Sequence, residues 1–121
     1  MDNRIRTYRS KSRSKYGNVK FSMDGFTFDS KAEARRYAEL KILLRSGVIS
    51  NLELQKEFEL QPAFRDNTGK MIRPIYYRAD FCYTDNETGK TVVEDVKGYR
   101  TEGYKLKKKM MAYRGYVIQE I

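Results

Sequence analysis

Two stretches decide how this chain folds: Tyr76-Tyr77-Arg78-Ala79-Asp80-Phe81-Cys82-Tyr83-Thr84 and Thr91-Val92-Val93-Glu94-Asp95-Val96-Lys97. Both are rich in the β-branched and aromatic residues that suit a pleated surface, and the segment between them, Asp85-Asn86-Glu87-Thr88-Gly89-Lys90, carries turn chemistry. They are read as two strands of an antiparallel hairpin. If the hairpin closes symmetrically about Glu87-Thr88, paired residue numbers sum to 175. Asp80 then falls opposite Asp95, and Arg78 opposite Lys97. Directly opposed residues share a face and lie within about 5.5 Å. Two carboxylates at that separation repel each other unless a cation or a proton lies between them. A register slip of one residue would separate them. The plainer alternative is a pair of surface salt bridges, Asp95 with Lys97 and Arg78 with Asp80.

Working outward, Val19, Phe21 and Met23 alternate with polar residues up to Asp24-Gly25, and Phe26 and Phe28 alternate after it, which predicts a short β-hairpin. Ser30-Lys31-Ala32-Glu33 has capping-box form and opens a helix that runs to Ser46 and closes on Gly47. On that helix Glu33, Tyr37, Leu40 and Leu44 fall on one stripe, which should face the sheet. A carboxylate there needs a partner, whereas a glutamate serving only as a cap could sit on any face. Leu52 and Leu54, then Phe58 and Leu60, alternate up to Pro62 and give one or two strand segments. Thr101 to Arg114 reads as a second helix with Leu106, Met110 and Tyr113 on its apolar side, and Tyr116 to Ile121 as a last strand. The predicted order is a leading hairpin, then α-β-β-β-α-β. This is an α/β fold whose final strand returns parallel through a crossover, in a mixed central sheet flanked by helices.

Composition limits the chemistry. The chain has 121 residues, no His, no Trp and a single Cys. One domain is expected over residues 16–121, behind a flexible basic arm at residues 1–15. Without His there is no Ser-His-Asp or Cys-His triad, and Cys82 alone cannot complete a zinc site or find a disulfide partner within the chain. Catalysis would have to run on carboxylates, Lys, Arg, Tyr or hydroxyls, with a hard cation that takes oxygen ligands. The net charge of +9 is uneven: residues 1–15 carry +5, residues 97–114 carry +6, and the remainder carries −2. Two basic segments on a mildly acidic body point to a polyanion, most simply nucleic acid. No apolar run suggests a membrane span or an export signal, so a cytoplasmic location is expected.

An acid-any-Lys triplet occurs three times, at Asp29-Ser30-Lys31, Glu39-Leu40-Lys41 and Asp95-Val96-Lys97. Only the last lies in a predicted strand and faces a second acid. With Glu33 on the first helix, Arg78-Ala79-Asp80-Phe81 on one strand, Val93-Glu94-Asp95-Val96-Lys97-Gly98 on the next and a basic helix after it, the chain resembles the PD-(D/E)XK nuclease superfamily. The likeness covers roughly residues 19–121. It is nearest to small phage and prophage nuclease-like proteins, Holliday-junction resolvases and transposase end-nucleases. The proline of the family name is Ala79 here. Glu94 adjoins the motif, but the two-residue spacing to Lys97 selects Asp95.

The resemblance implies a restriction-endonuclease-like core and a metal-dependent DNA endonuclease acting on branched or duplex DNA, with homodimerisation required for symmetric junction cutting. Asp80, Asp95 and the Val96 carbonyl would hold Mg²⁺ or Mn²⁺, Glu33 would act through a water or a second ion, and Lys97 would stabilise the attacking water and the transition state. Arg100, Lys105, Lys108 and Lys109, with Arg4, Arg6, Arg9, Lys11 and Arg13 of the arm, would grip phosphates. Gln61, Tyr99 and Tyr104 are auxiliary candidates. The competing expectation is a non-catalytic nucleic-acid-binding accessory protein with the same fold. A basic RNA-binding domain would leave Asp80, Asp95 and Lys97 without a role.

Overall fold

The structure is a computed structural model that describes residues 6–7, 20–96 and 99–121. The leading hairpin pairs β2 (Phe21–Met23) with β3 (Phe26–Phe28). Asp24 and Gly25 join them with φ of 55° and 82°, the paired positive values that a two-residue turn needs to follow strand twist. Helix α1 (Lys31–Arg45) follows, and Gly47, with φ 81°, lies just beyond its end. Its buried side chains are Glu33, Ala34, Tyr37, Leu40 and Leu44, so the stripe expected from spacing does face inward.

The main sheet has five strands in the order β1 (Arg6–Thr7), β4 (Ile49–Leu54), β9 (Phe81–Asp85), β10 (Thr91–Asp95) and β11 (Ile118–Glu120). The β1–β4 and β10–β11 pairs are parallel and the inner pairs antiparallel. The sheet is therefore mixed, and the chain between β10 and β11 crosses over through a helix, as expected. Arg6 and Thr7 pair with Glu53 and Leu54 at the sheet edge, while the rest of the predicted basic arm lies outside the described residues. Thr84 pairs with Thr91, Tyr83 with Val92, Cys82 with Val93 and Phe81 with Glu94. Every pair sums to 175, the register deduced from the loop.

Helix α1 and the leading hairpin pack on one face of this sheet, against Leu52, Leu54, Phe81 and Tyr83. The second core gathers Cys82, Val93 and Ile118 with Tyr104 and Met111 of α2 (Glu102–Tyr113). The helix phase expected for α2 is corrected here. Of the expected stripe only Met110 packs on this core, half-buried; Leu106 and Tyr113 are 57% and 94% exposed, while Tyr104 and Met111, seven residues apart, are buried. Two turns of helix separate those two, so they share a face. The lysines around Leu106 conceal which of several apolar stripes is the buried one.

A second correction concerns Tyr76 to Thr84, expected as one strand. It breaks at Ala79-Asp80 into β8 (Ile75–Arg78) and β9. Strand β8 pairs with β5 (Glu57–Gln61), outside the main sheet. The break is held by two backbone bonds: the Ala79 N–H donates to the Lys56 carbonyl (2.9 Å) and the Gln55 N–H to the Asp80 carbonyl (3.0 Å). Gln55, with φ 56°, turns the partner chain at the same level. Beyond β5 and β8 the ribbon continues into β6 (Phe64–Arg65) and β7 (Met71–Ile72), which alternation had not suggested. Pro62 and Pro74 flank this outer pair, and a residue without an N–H cannot donate to the ladder. Among the described residues no helix is long and apolar enough to cross a membrane.

Candidate functional site

The strand break places Asp80 where the ribbon leaves the sheet, beside the end of β10. Extending the 175 register by one pair sets Asp80 against Asp95. The Asp80 Oδ2 accepts the Val96 N–H at 2.8 Å, so the two chain ends are bonded through the carboxylate itself. The Asp80 carboxyl also lies within hydrogen-bonding reach of Asp95 and Glu33. Three acids from three elements, α1, the β8–β9 break and β10, thus meet at one point.

Burial pushes the Asp80 carboxyl up to about 7. The bonds to Asp95 and the Val96 N–H oppose that rise, and Glu33 adds to it by hydrogen bonding and by charge. Asp95 is 1% exposed and accepts the Tyr77 hydroxyl on Oδ2 at 2.6 Å. Burial and this contact raise the Tyr77 hydroxyl far above its ordinary range, so it stays protonated and donates. Glu33 serves two ends. Its N–H donates to the Ser30 Oγ (3.0 Å), as in a capping box. Its carboxylate, however, accepts the Asp29 N–H at 3.1 Å, one residue before the position that a reciprocal box uses. That displacement leaves the carboxyl beside Asp80.

Glu94 occupies the opposite face. Its two oxygens receive the Arg36 guanidinium, Nε at 2.8 Å and Nη2 at 2.6 Å, and the Tyr83 hydroxyl bonds the same carboxylate. Glu94 is 1% exposed and Arg36 half-buried, so this is a bidentate ion pair between α1 and β10, buried at its carboxylate end. Sequence reasoning set Glu94 aside by spacing and did not find Arg36. A signal existed: Arg36 lies three residues after Glu33, on the same side of the helix.

Lys97 lies outside the described residues. Of Val96, the N–H is engaged by Asp80. Gln61 sits half-buried at the end of β5, opposite Ile75 in the ribbon rather than among the acids. Tyr99 is 82% exposed. Tyr104 is a core residue whose hydroxyl donates to Glu120 (2.8 Å). Three of the candidate phosphate-gripping residues in the basic segment 97–114 already hold acids of the chain. Arg100 holds Glu120 through Nε and Nη2 (2.9 and 3.0 Å), Lys108 reaches the same carboxylate (3.2 Å), and Lys105 pairs with Glu102 (3.1 Å). Arg100, Tyr104 and Lys108 hold the Glu120 carboxyl down at about 2. Lys109 is exposed. Arg4, Arg9, Lys11 and Arg13 lie outside the described residues, and Arg6 is placed by its backbone in β1.

Cys82 is buried and free, and burial pushes its thiol up to about 11, which removes it as a nucleophile. Among the described residues no group of three or more Cys, Asp or Glu side chains is arranged as a ready-made metal cage. The donor chemistry at Asp80, Asp95 and Glu33 is nevertheless all hard oxygen and suits Mg²⁺ or Mn²⁺ rather than a thiophilic ion. The Asp80 carboxyl is raised first by burial and then by Glu33, and a cation bound beside it would favour its ionised form.

Residues 13–120 match the model of a family described as a protein of unknown function, DUF1064. The chain belongs to the DUF1064 family. No curated protein and no solved structure matches it. In this DUF1064 chain the matched span takes in all three acids, the Arg36–Glu94 pair and the whole ribbon.

Proposed function

We propose that this protein is a metal-dependent DNA endonuclease of the PD-(D/E)XK type, with a restriction-endonuclease-like core. The observation that carries the reading is the convergence of Glu33, Asp80 and Asp95 in a chain of net charge +9. A module that only bound polyanions would gain nothing from buried carboxylates at such a point. Asp80 and Asp95 would hold Mg²⁺ or Mn²⁺ with the Val96 carbonyl, and Glu33 would hold a water or a second ion. A divalent cation held there would supply hydroxide near neutral pH and counter-charge for the phosphate. Tyr77 fixes the Asp95 carboxylate, and the Val96 N–H fixes that of Asp80, so both acids are oriented before any ligand arrives. Lys97, two residues past Asp95, would stabilise charge on the attacking water and the transition state.

Phosphate contacts carry no sequence information and so favour substrate shape, and branched recombination or replication intermediates in the cytoplasm are the proposed targets. Symmetric cutting of a four-way junction would need a homodimer. The test is incubation with four-way, flap and linear duplex DNA in Mg²⁺, for wild type and for Asp80→Ala, Asp95→Ala and Lys97→Ala. Cleavage by wild type and its loss in all three variants are expected. Full cleavage by Asp95→Ala would sink the assignment, and salt-sensitive binding without cleavage by wild type would leave a non-catalytic DNA-binding protein.

A further inference from the structure

The ribbon formed by β5 to β8 grows out of the sheet at Asp80 and ends in a tip whose chemistry the cleavage reading does not use. Nine residues, from Glu57 to Arg65, run along one side, which at roughly 3.3 Å per residue gives a reach of up to about 30 Å. That is close to one turn of duplex DNA, about 34 Å. The ribbon is braced along its inner half. Leu60 and Tyr77 are buried, Phe58 packs on Tyr77 and Tyr116, and the Arg114 guanidinium bonds the Glu59 and Leu60 carbonyls.

Its outer half is different. Arg65, Lys70 and Arg73 are exposed, and so are Phe64 and Met71, at 44% and 50%. The single acid of the tip, Asp66, is turned inward on the loop: its Oδ1 accepts from the Thr68 N–H (2.8 Å), the Thr68 hydroxyl (2.6 Å) and the Lys70 N–H (3.0 Å). Closer to the sheet Glu57 stands opposite Arg78, so positive charge accumulates only at the tip.

We propose that this ribbon is an arm that enters a groove of duplex DNA, with Arg65, Lys70 and Arg73 on phosphates and Phe64 and Met71 against the groove. A two-stranded ribbon fits the major groove of B-form DNA, whereas the deep, narrow major groove of A-form RNA excludes it. Exposed apolar side chains beside the cations can meet the thymine methyl groups that line the same groove. A second copy of the chain is the weaker occupant. Two exposed apolar side chains offer far less than the roughly 800 Å² per partner that a stable interface buries. The arm deepens the nuclease reading by naming duplex DNA as the substrate class, and it rests on that reading's polyanion partner but not on its metal chemistry.

The experiment is fluorescence anisotropy in EDTA, where cleavage is off, with labelled DNA and RNA duplexes of one sequence and about 30 base pairs, long enough for nearly three turns. Wild type should bind DNA more tightly than RNA. The triple variant Arg65→Ala/Lys70→Ala/Arg73→Ala should lose on the order of ten- to a hundredfold in DNA affinity and lower the salt slope by up to about 3. Phe64→Ser/Met71→Ser, at exposed positions, should weaken DNA binding and leave the salt slope unchanged. Circular dichroism checks that each variant is folded. Wild-type DNA binding that neither variant alters would overturn the arm alone. So would a tip variant that changes oligomeric state while keeping DNA affinity. A wild type that binds neither duplex would overturn the nucleic-acid reading as well.

Discussion

Replacing Asp80 by Asn removes the carboxyl that burial and Glu33 push from 3.8 up to about 7. Asp80 holds its proton more tightly in the folded chain than in the unfolded one. Between about pH 4 and 7 the folded state therefore binds more protons, and stability falls as pH rises through that window. Three pKa units at about 1.36 kcal/mol each set an upper limit near 4 kcal/mol for the cost of ionising Asp80 in the folded protein. Sharing of charge with Glu33 and Asp95 reduces this to about 2–4 kcal/mol. An asparagine keeps an oxygen for the Val96 N–H and brings an NH₂ donor for a neighbouring carboxylate, at no ionic cost. Asp80→Asn should then be more stable than wild type at pH 8 in EDTA. For a chain of this size each kcal/mol is worth roughly 4 °C or more in Tm, so the gain should reach about 10 °C, and it should shrink to near zero at pH 4. Mg²⁺ should raise the Tm of wild type and leave the variant unmoved. Thermal melts followed by circular dichroism across pH read all of this. A loss of stability at pH 8, or an equal gain at pH 4, would show that Asp80 is an ordinary structural carboxylate.

Two further outcomes follow from the packing. Arg36→Met leaves Glu94 buried without its guanidinium, which should cost about 3–5 kcal/mol in urea unfolding. Adding Glu94→Gln should return part of that loss, and no recovery would mean that Arg36 acts mainly by packing. Arg114→Ala removes the two bonds to the Glu59 and Leu60 carbonyls. It should cost about 1–3 kcal/mol and speed amide exchange in β5 ahead of β10; uniform acceleration across the fold would argue against a local brace.

Much of the site was legible because its determinants are local. The symmetric loop between Thr84 and Thr91 fixed the register, and the register brings Asp80 to Asp95. The helical stripe through Glu33 and Tyr37 fixed which acid faces them. The strand break was invisible for a physical reason. Tyr77, Ala79 and Phe81 are all buried, so the period of two runs unbroken across the point where hydrogen-bond partners change. Periodicity reports which side of a strand is dry; it does not report which strand lies alongside. The outer ribbon escaped notice because Phe64 and Met71 are exposed and Pro62 reads as an end. The phase of α2 is ambiguous in the sequence because Leu106, Met110 and Tyr113 make as regular a stripe as Tyr104 and Met111, and Met110 borders both. The choice between them is made by the sheet surface, where Cys82, Val93 and Ile118 form the receiving face.

Cys82 gives the sheet a built-in clock. It is the only thiol in the chain, and it is buried on β9 two residues from Asp80. A thiol reagent can reach it only when β9 separates from the α2 side, so one chemical label, at one position, times the opening of the strand that runs on from Asp80 and pairs with β10. Run with and without Mg²⁺, labelling rates would register how firmly a cation latches that strand, without any substrate being cut.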